Sequence, residues 1–181
     1  MDFETVVKSR RSIRRFEDRE IPREAMEKIV DVARFAPSWK NTQIVRYIVV
    51  ADPELRRALA TPECVFDFKY NLRTLEGAAA IVLLTYVKGR SGFEKDGSYS
   101  TPTGSGWQNF DAGIAAQTFC LAAEDQGIGT VILGYFDEAA VRKVIDLPED
   151  QALGAIIACG YPAESPEAPK RKEVTELLTY R

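Results

Sequence analysis

Ala78-Ala79-Ala80-Ile81-Val82-Leu83-Leu84-Thr85-Tyr86 is an almost unbroken apolar run. Its length and β-branched content predict a central strand, covered on both faces, over 78–86. Downstream, Trp107 to Gln126 is long, rich in alanine and apolar nearly all the way round, which predicts a helix buried on most of its faces. Ala112, Ala115, Ala116, Ala122 and Ala123 leave room for another element to approach that helix closely. Between the two, residues 88–106 hold five glycines and four serines with little periodicity, the pattern of a long loop or lid. A buried strand, a long irregular segment and a buried helix already require helices packed on a sheet.

Upstream, residues 3–9 read as a short helix with Phe3, Val6 and Val7 apolar. Pro22 suits the first turn of a second helix, whose buried stripe is Ala25, Met26, Ile29, Val30 and Ala33. That helix should stop near Ala36, because Pro37 restricts its predecessor. Residues 37–43 form a polar loop and 44–50 a strand, then Asp52 caps a helix with Pro53 at its first position. Beyond the long helix, Gly127-Ile128-Gly129 leads into a strand at 130–133, Asp137 caps a helix over 138–145, and Leu153 to Cys159 is another buried strand. The tail carries Pro162, Pro166 and Pro169, then basic residues, then Val174-Thr175-Glu176-Leu177-Leu178, and is expected to lie along a surface, such as a partner subunit's. The pattern is α+β, or α/β with a mixed sheet, in one domain over 1–181.

Composition narrows the function. The chain has 181 residues, a net charge of −3 and no histidine. Without histidine there is no Ser/Cys-His triad and the commonest zinc ligand is missing, so no metal site is expected. Chemistry must come from carboxylates, cations, backbone amides or a cofactor that brings its own reactivity. Cys64, Cys120 and Cys159 are odd in number and far apart, against a disulfide framework. No membrane span or signal-peptide pattern is evident, so a cytoplasmic location is expected.

Against the acidic balance stand two compact basic clusters. Arg10-Arg11-Ser12-Ile13-Arg14-Arg15-Phe16 places four guanidiniums and a hydroxyl in seven residues, and Lys170-Arg171-Lys172 lies in the tail. Guanidinium matches phosphate geometry and stays charged. Were 10–15 extended, Arg10, Ser12 and Arg14 would share one face and Arg11 and Arg15 the other. The cluster reads either as an anion site or as a solvated patch partnered by Glu17 and Asp18. A third constellation, Pro37-Ser38-Trp39-Lys40-Asn41-Thr42-Gln43, offers amides for the edge of a planar heterocycle, or simply caps local turns. Ile132-Leu133-Gly134 ends a strand beside a glycine that would let backbone approach a flat ligand. Basic residues in two short clusters of an acidic chain do not suit an extended nucleic-acid surface.

Four ordered segments resemble the motifs of the nitroreductase family of FMN-dependent NAD(P)H oxidoreductases. They are Arg10 to Phe16, Ala36 to Gln43, Gly127-Ile128-Gly129-Thr130 and Ala158-Cys159-Gly160-Tyr161-Pro162. The resemblance implies a three-layer α-β-α fold with a central mixed, mainly antiparallel sheet. It also implies a homodimer, with the tail packing on the partner subunit and FMN at the interface. Arg10, Ser12 and Arg11 would hold the phosphate and ribityl end, and Arg14 the pyrimidine side. Pro37, Ser38 and Asn41 would come from the other subunit. Ile132, Leu133 and Gly134 would lie beside the ring, with an amide near N5. Lys170 and Lys172 look like a phosphate-binding pair, with Arg171 an alternative register. Arg14, Leu133 and Gly134 would be the groups nearest the chemistry. NADH or NADPH would give hydride to N5 and leave before a small electron acceptor, a nitroaromatic or quinone, enters the same site. Leu133 stands where a glutamate is frequent in the family, and Ile44-Val45 where Pro-Trp is frequent. Other branches of the same flavin fold dehalogenate aromatics or break down flavin, and a non-enzymatic FMN-binding regulator is a further alternative.

Overall fold

The computed structural model describes residues 1–181. In chain order the elements are α1 (Phe3–Ser9), α2 (Arg23–Ala33), a 3₁₀ turn (Trp39–Asn41), β1 (Val45–Val50), α3 (Pro53–Leu59), α4 (Lys69–Gly77), β2 (Ala80–Val87), α5 (Gly106–Asp125), β3 (Gly129–Leu133), α6 (Glu138–Val144), β4 (Gln151–Gly160) and α7 (Val174–Leu177). Several ends follow from capping chemistry. Asp2 accepts from Thr5 N–H, Asp52 from the Glu54 and Leu55 amides, and Asp137 from Ala140 N–H. Pro22 takes the cap position of α2, one residue ahead of the expected first turn, and α2 ends at Ala33.

The four strands form one sheet in the order β1-β2-β4-β3, and every ladder in it is antiparallel. The parallel component is an isolated bridge from Ser12 to Thr130 on the outer edge of β3. β2 is interior and its side chains alternate between two cores. Ala80, Val82 and Leu84 pack with α2 and α5, while Ile81 and Leu83 pack with Leu59 of α3, Leu75 of α4 and Val141 of α6. The result is three layers, with the sheet in the middle. A register shift opposite Leu84 and Thr85 skips Gly154. It turns Leu153 to the same core as Ile156 and Ala158, where simple alternation would have put it with Ala155.

The 88–106 segment is irregular, as its composition suggested, yet it is pinned. Phe93 and Tyr99 bridge, and Ser91, Gly92 and Gly104 are buried. The three cysteines are free and buried, and burial pushes their thiols up. No helix is long and apolar enough to cross a membrane.

One close approach positions everything that follows. Gly129 and Gly160 are direct partners in the β3–β4 ladder. A methyl on Gly129 would meet Ile13 at 2.8 Å, and one on Gly160 would meet the Phe16 ring at 2.7 Å. The bare backbone is therefore the seat of the 12–16 segment. Ile13 N–H donates to Thr130 O at 3.0 Å, and Glu17 N–H to Tyr161 O at 2.8 Å. Gly160→Ala should destabilise the fold by about 1–3 kcal/mol, the usual cost of overpacking. Urea denaturation checks this, and an unchanged midpoint would mean that Phe16 yields without cost.

Candidate functional site

The stretch from Arg10 to Arg15 runs along the sheet edge on that seat. Inward, Ile13 is buried in the apolar interior. Outward, Arg10, Arg11, Ser12 and Arg14 line a cavity of about 350 Å³, together with Pro166, Glu167, Pro169 and Arg171 from the tail. Arg11 thus joins Arg10 and Arg14 in the cavity, because the segment meets the sheet only at single bridges, Ser12 and Phe16, and is not a regular strand. Only Arg15 leaves, to pair with Glu164 at 2.9 Å. The second basic cluster contributes Arg171, while Lys170 and Lys172 lie outside the cavity lining.

The electrostatics of the cavity are one-sided. None of Arg10, Arg11, Arg14 and Arg171 makes a salt bridge. Arg11 donates to the carbonyls of Lys8 and Arg10, Arg14 to that of Ser12, and Arg171 to that of Pro169. The only lining carboxylate is Glu167. Four guanidiniums beside one hydroxyl form an arrangement that an anion with several oxygens would neutralise.

At the end of β3, Leu133 points into the core and is 4 % exposed, so its side chain is unavailable to a ligand. Ile132 is partly exposed on the opposite face. Gly134 is exposed, nothing lies within 4 Å of where its Cβ would be, and its N–H has no partner in the chain. A flat ligand can therefore reach backbone there.

The 37–43 loop is built separately. Ser38 accepts from Gln43 N–H at 2.9 Å, so its hydroxyl is used in the turn. Lys40, Asn41 and Gln43 have φ of 44°, 54° and 49°, a strained run for residues that are not glycine. Asp111 of α5, 2 % exposed, holds the strain in place by accepting the Trp39 N–H on both oxygens at 3.1 Å. The Trp39 ring lies 4.5 Å from that of Trp107, and Lys40 pairs with Glu94 of the 88–106 segment at 3.1 Å. Ser100 and Lys40 together hold the Glu94 carboxyl below its usual range. Pro37 and Ser38 line a cavity of about 330 Å³ between α2, β1 and α5. That cavity shares no residue with the arginine cavity, and Asn41 is exposed with no side-chain partner.

A model of the nitroreductase family matches residues 7–161. The chain belongs to the nitroreductase family. That membership makes it an oxidoreductase. A relative from Methanothermobacter thermautotrophicus, a candidate NADH dehydrogenase/NAD(P)H nitroreductase, is 31 % identical over 92 % of this chain and 80 % of its own length. The NADPH-flavin oxidoreductase of Vibrio harveyi is 30 % identical over 93 % of this chain and 69 % of its own. A protein from Desulfovibrio desulfuricans, solved in complex with FMN, superposes with a TM-score of 0.76 at 27 % identity, covering 98 % of this chain and 95 % of that one.

The residues here fit such a group. The arginine cavity has the donors for a phosphate monoester, and Gly134 offers an open amide for a ring edge. Two acids escaped the sequence reading. Asp111 carried a signal, a carboxylate in the interior of a buried, alanine-rich helix whose other acids, Glu124 and Asp125, stand at its C-terminal end. Glu164 carried none, being one of 27 acids in the chain. Asp111→Ala should remove the acceptor of a buried amide and cost about 1–3 kcal/mol. Hydrogen exchange should rise at residues 38–43, and unchanged protection there would show that the loop holds without Asp111.

Proposed function

We propose that this chain is an FMN-dependent oxidoreductase that moves a hydride from NADH or NADPH to a small organic acceptor, a nitroaromatic or quinone, in ping-pong order. The observation that carries this reading is the convergence of four unpaired arginines and Ser12 on one cavity within a nitroreductase fold. FMN, when bound, would supply a ring that takes up two electrons as a hydride and passes them on, so nicotinamide and acceptor would use one site in turn. Arg10, Arg11, Ser12 and Arg171 hold the phosphate end by charge-assisted hydrogen bonds. Arg14 would supply fixed positive potential to the pyrimidine end of the group and so favour its electron-rich form. The Gly134 backbone, which is open and exposed, would meet the ring edge, and Leu133 would act only by holding that backbone to the core. No residue with a catalytic proton is required, which suits a chain without histidine.

We further propose a homodimer whose sites each draw on both chains. Two features support it. Pro37, Ser38 and Asn41 belong to a loop separate from the arginine cavity, so a partner's copy of that loop is what completes a site. Phe3, Phe35 and Phe110 are more than half exposed, as are Val174 and Leu177 of the tail, which is apolar surface that a second chain would cover. In this arrangement the 88–106 segment acts as a lid over the substrate side, and the Lys40–Glu94 pair couples it to the 37–43 loop of its own chain, the loop that completes the partner's site.

The purified protein should retain FMN through gel filtration as a dimer, and a monomer that retains it tightly would sink the shared site. Arg10→Ala should weaken FMN binding about ten- to a hundredfold, the worth of one charge-assisted bond, yet leave the saturated protein reducible. Arg14→Ala should instead lower the reduction potential, by roughly 30 mV for each 1.4 kcal/mol of lost stabilisation. Potentiometric titration of the two saturated variants compares them, and a larger shift in the Arg10 variant would reverse the two ends. Gly134→Val should change stability by no more than about 0.5 kcal/mol, because the space is open in the free chain, while weakening FMN binding. Equal FMN affinity in that variant would remove the ring edge from Gly134.

A further inference from the structure

Glu164 sits where the tail leaves the sheet. Its Oε1 accepts from Arg14 N–H at 2.7 Å and from Arg15 N–H at 3.2 Å, and its Oε2 accepts from Arg15 Nε at 2.9 Å. The carboxylate is 18 % exposed, whereas the Arg15 side chain is 76 % exposed. The fold has enclosed the acid and left its cation in solvent, so the ion pair itself is a weak contact and the two amides are the substantial ones. The Arg14 amide, with the Arg15 side chain and amide behind it, holds the Glu164 carboxyl below its usual range. On the other side Ala163 N–H donates to Arg15 O at 3.0 Å. The arginine segment and the start of the tail are thus joined in both directions. Two residues further on, Pro166 begins the wall that brings Glu167, Pro169 and Arg171 back to face Arg10 and Ser12.

The geometry points to Glu164 as a positioning residue. Through the amides of Arg14 and Arg15 it fastens the tail to the arginine segment so that Arg171 meets Arg10 and Ser12 in one cavity, and it thereby sets the preference for phosphorylated over unphosphorylated flavin. This inference rests on the flavin reading above. It makes a distinctive claim, because simple electrostatics gives the opposite sign. A carboxylate beside an anion cavity repels a phosphate, so removing its charge should tighten binding if charge were all it contributed. Positioning predicts that removing the acceptor oxygens weakens binding, and that glutamine, which keeps one oxygen for both amides, restores it.

Dissociation constants for FMN and for riboflavin, read from flavin fluorescence, separate these cases. Glu164→Ala is expected to weaken FMN about tenfold while riboflavin stays within about twofold, since the residue displaced with the released tail is Arg171, at the phosphate end, while the Ile13 and Phe16 contacts still hold the arginine segment on the sheet. Glu164→Gln is expected within about threefold of the parent for both flavins. Arg15→Ala, which spares the two amide bonds, should also stay close to the parent. Tighter or unchanged FMN binding in Glu164→Ala overturns the proposal. So does an equal loss for both flavins, which would mark a general structural defect, and so does an Arg15→Ala loss as large as that of Glu164→Ala. Should the alanine variant not fold, Glu164→Asp keeps the charge and shortens the reach by one methylene, and the same comparison applies to it. If the parent binds neither flavin, the flavin reading itself fails. In that event ³¹P line broadening of inorganic phosphate, compared between parent and Glu164→Ala, still decides: weaker binding by the variant supports the joint, and equal binding overturns it.

Discussion

The seat of Ile13 and Phe16 on Gly129 and Gly160 is the contact on which the site depends. Two residues without side chains face each other across the β3–β4 ladder, and there Ile13 and Phe16 lie directly on sheet backbone. With Ile13 and Phe16 pressed inward, the residues between and before them must face outward. That exposes the amides of Arg14 and Arg15, and the guanidiniums of Arg10, Arg11 and Arg14. The same edge then receives the tail, because Phe16 pairs with Pro162 and Glu17 with Tyr161. A hydrophobic contact thus decides where the charge goes. Charge alone would have spread the arginines apart, since like cations repel and a single carboxylate, Glu167, lines the cavity with them.

The 37–43 loop obeys a different logic. Its strain is local, and its restraint comes from across the molecule, from a buried aspartate on α5 and an aromatic contact at the start of the same helix. Strain of this kind persists only where surrounding structure over-determines it. The loop is held by α5 and the 88–106 segment, whereas the arginine segment is held by β3 and β4. The two are independent constructions on one chain. That independence is what makes a shared site between two copies mechanically sensible, since each copy presents both parts preformed.

Much of the fold was legible. The apolar run at 78–86, the alanine-rich helix and the capping residues Asp52 and Asp137 all report local physics, and each element lies within a few residues of its expected place. The central sheet, the two-sided burial of β2 and the irregularity of 88–106 followed from the same patterns. Less was legible where neighbours decide. Helix α4 has a weak pattern, and what holds it is packing of Leu75 against Leu59 and Ile81. The skipped Gly154, which redirects Leu153, cannot be read from alternation at all. Leu133 was named for its place beside a ring, and the fold leaves only its backbone in reach, because its side chain fills the core.

The sequence by itself determined most of the elements and the family, and through the family resemblance the chemical character expected of the ligand. Periodicity, caps and the clustering of guanidiniums are properties of short stretches, and the four family motifs are contiguous. Tertiary structure alone decided which cations share a cavity, which register of the tail enters it, and that Glu164 and Asp111 matter. Arg171 and not its lysine neighbours lines the cavity, because the path of the tail is set at Glu164 and by prolines upstream. Glu164 resembles any other surface acid until the amides of residues some 150 positions away are brought to it. Convergence of that kind depends on close packing of distant backbone, and no window of sequence contains it.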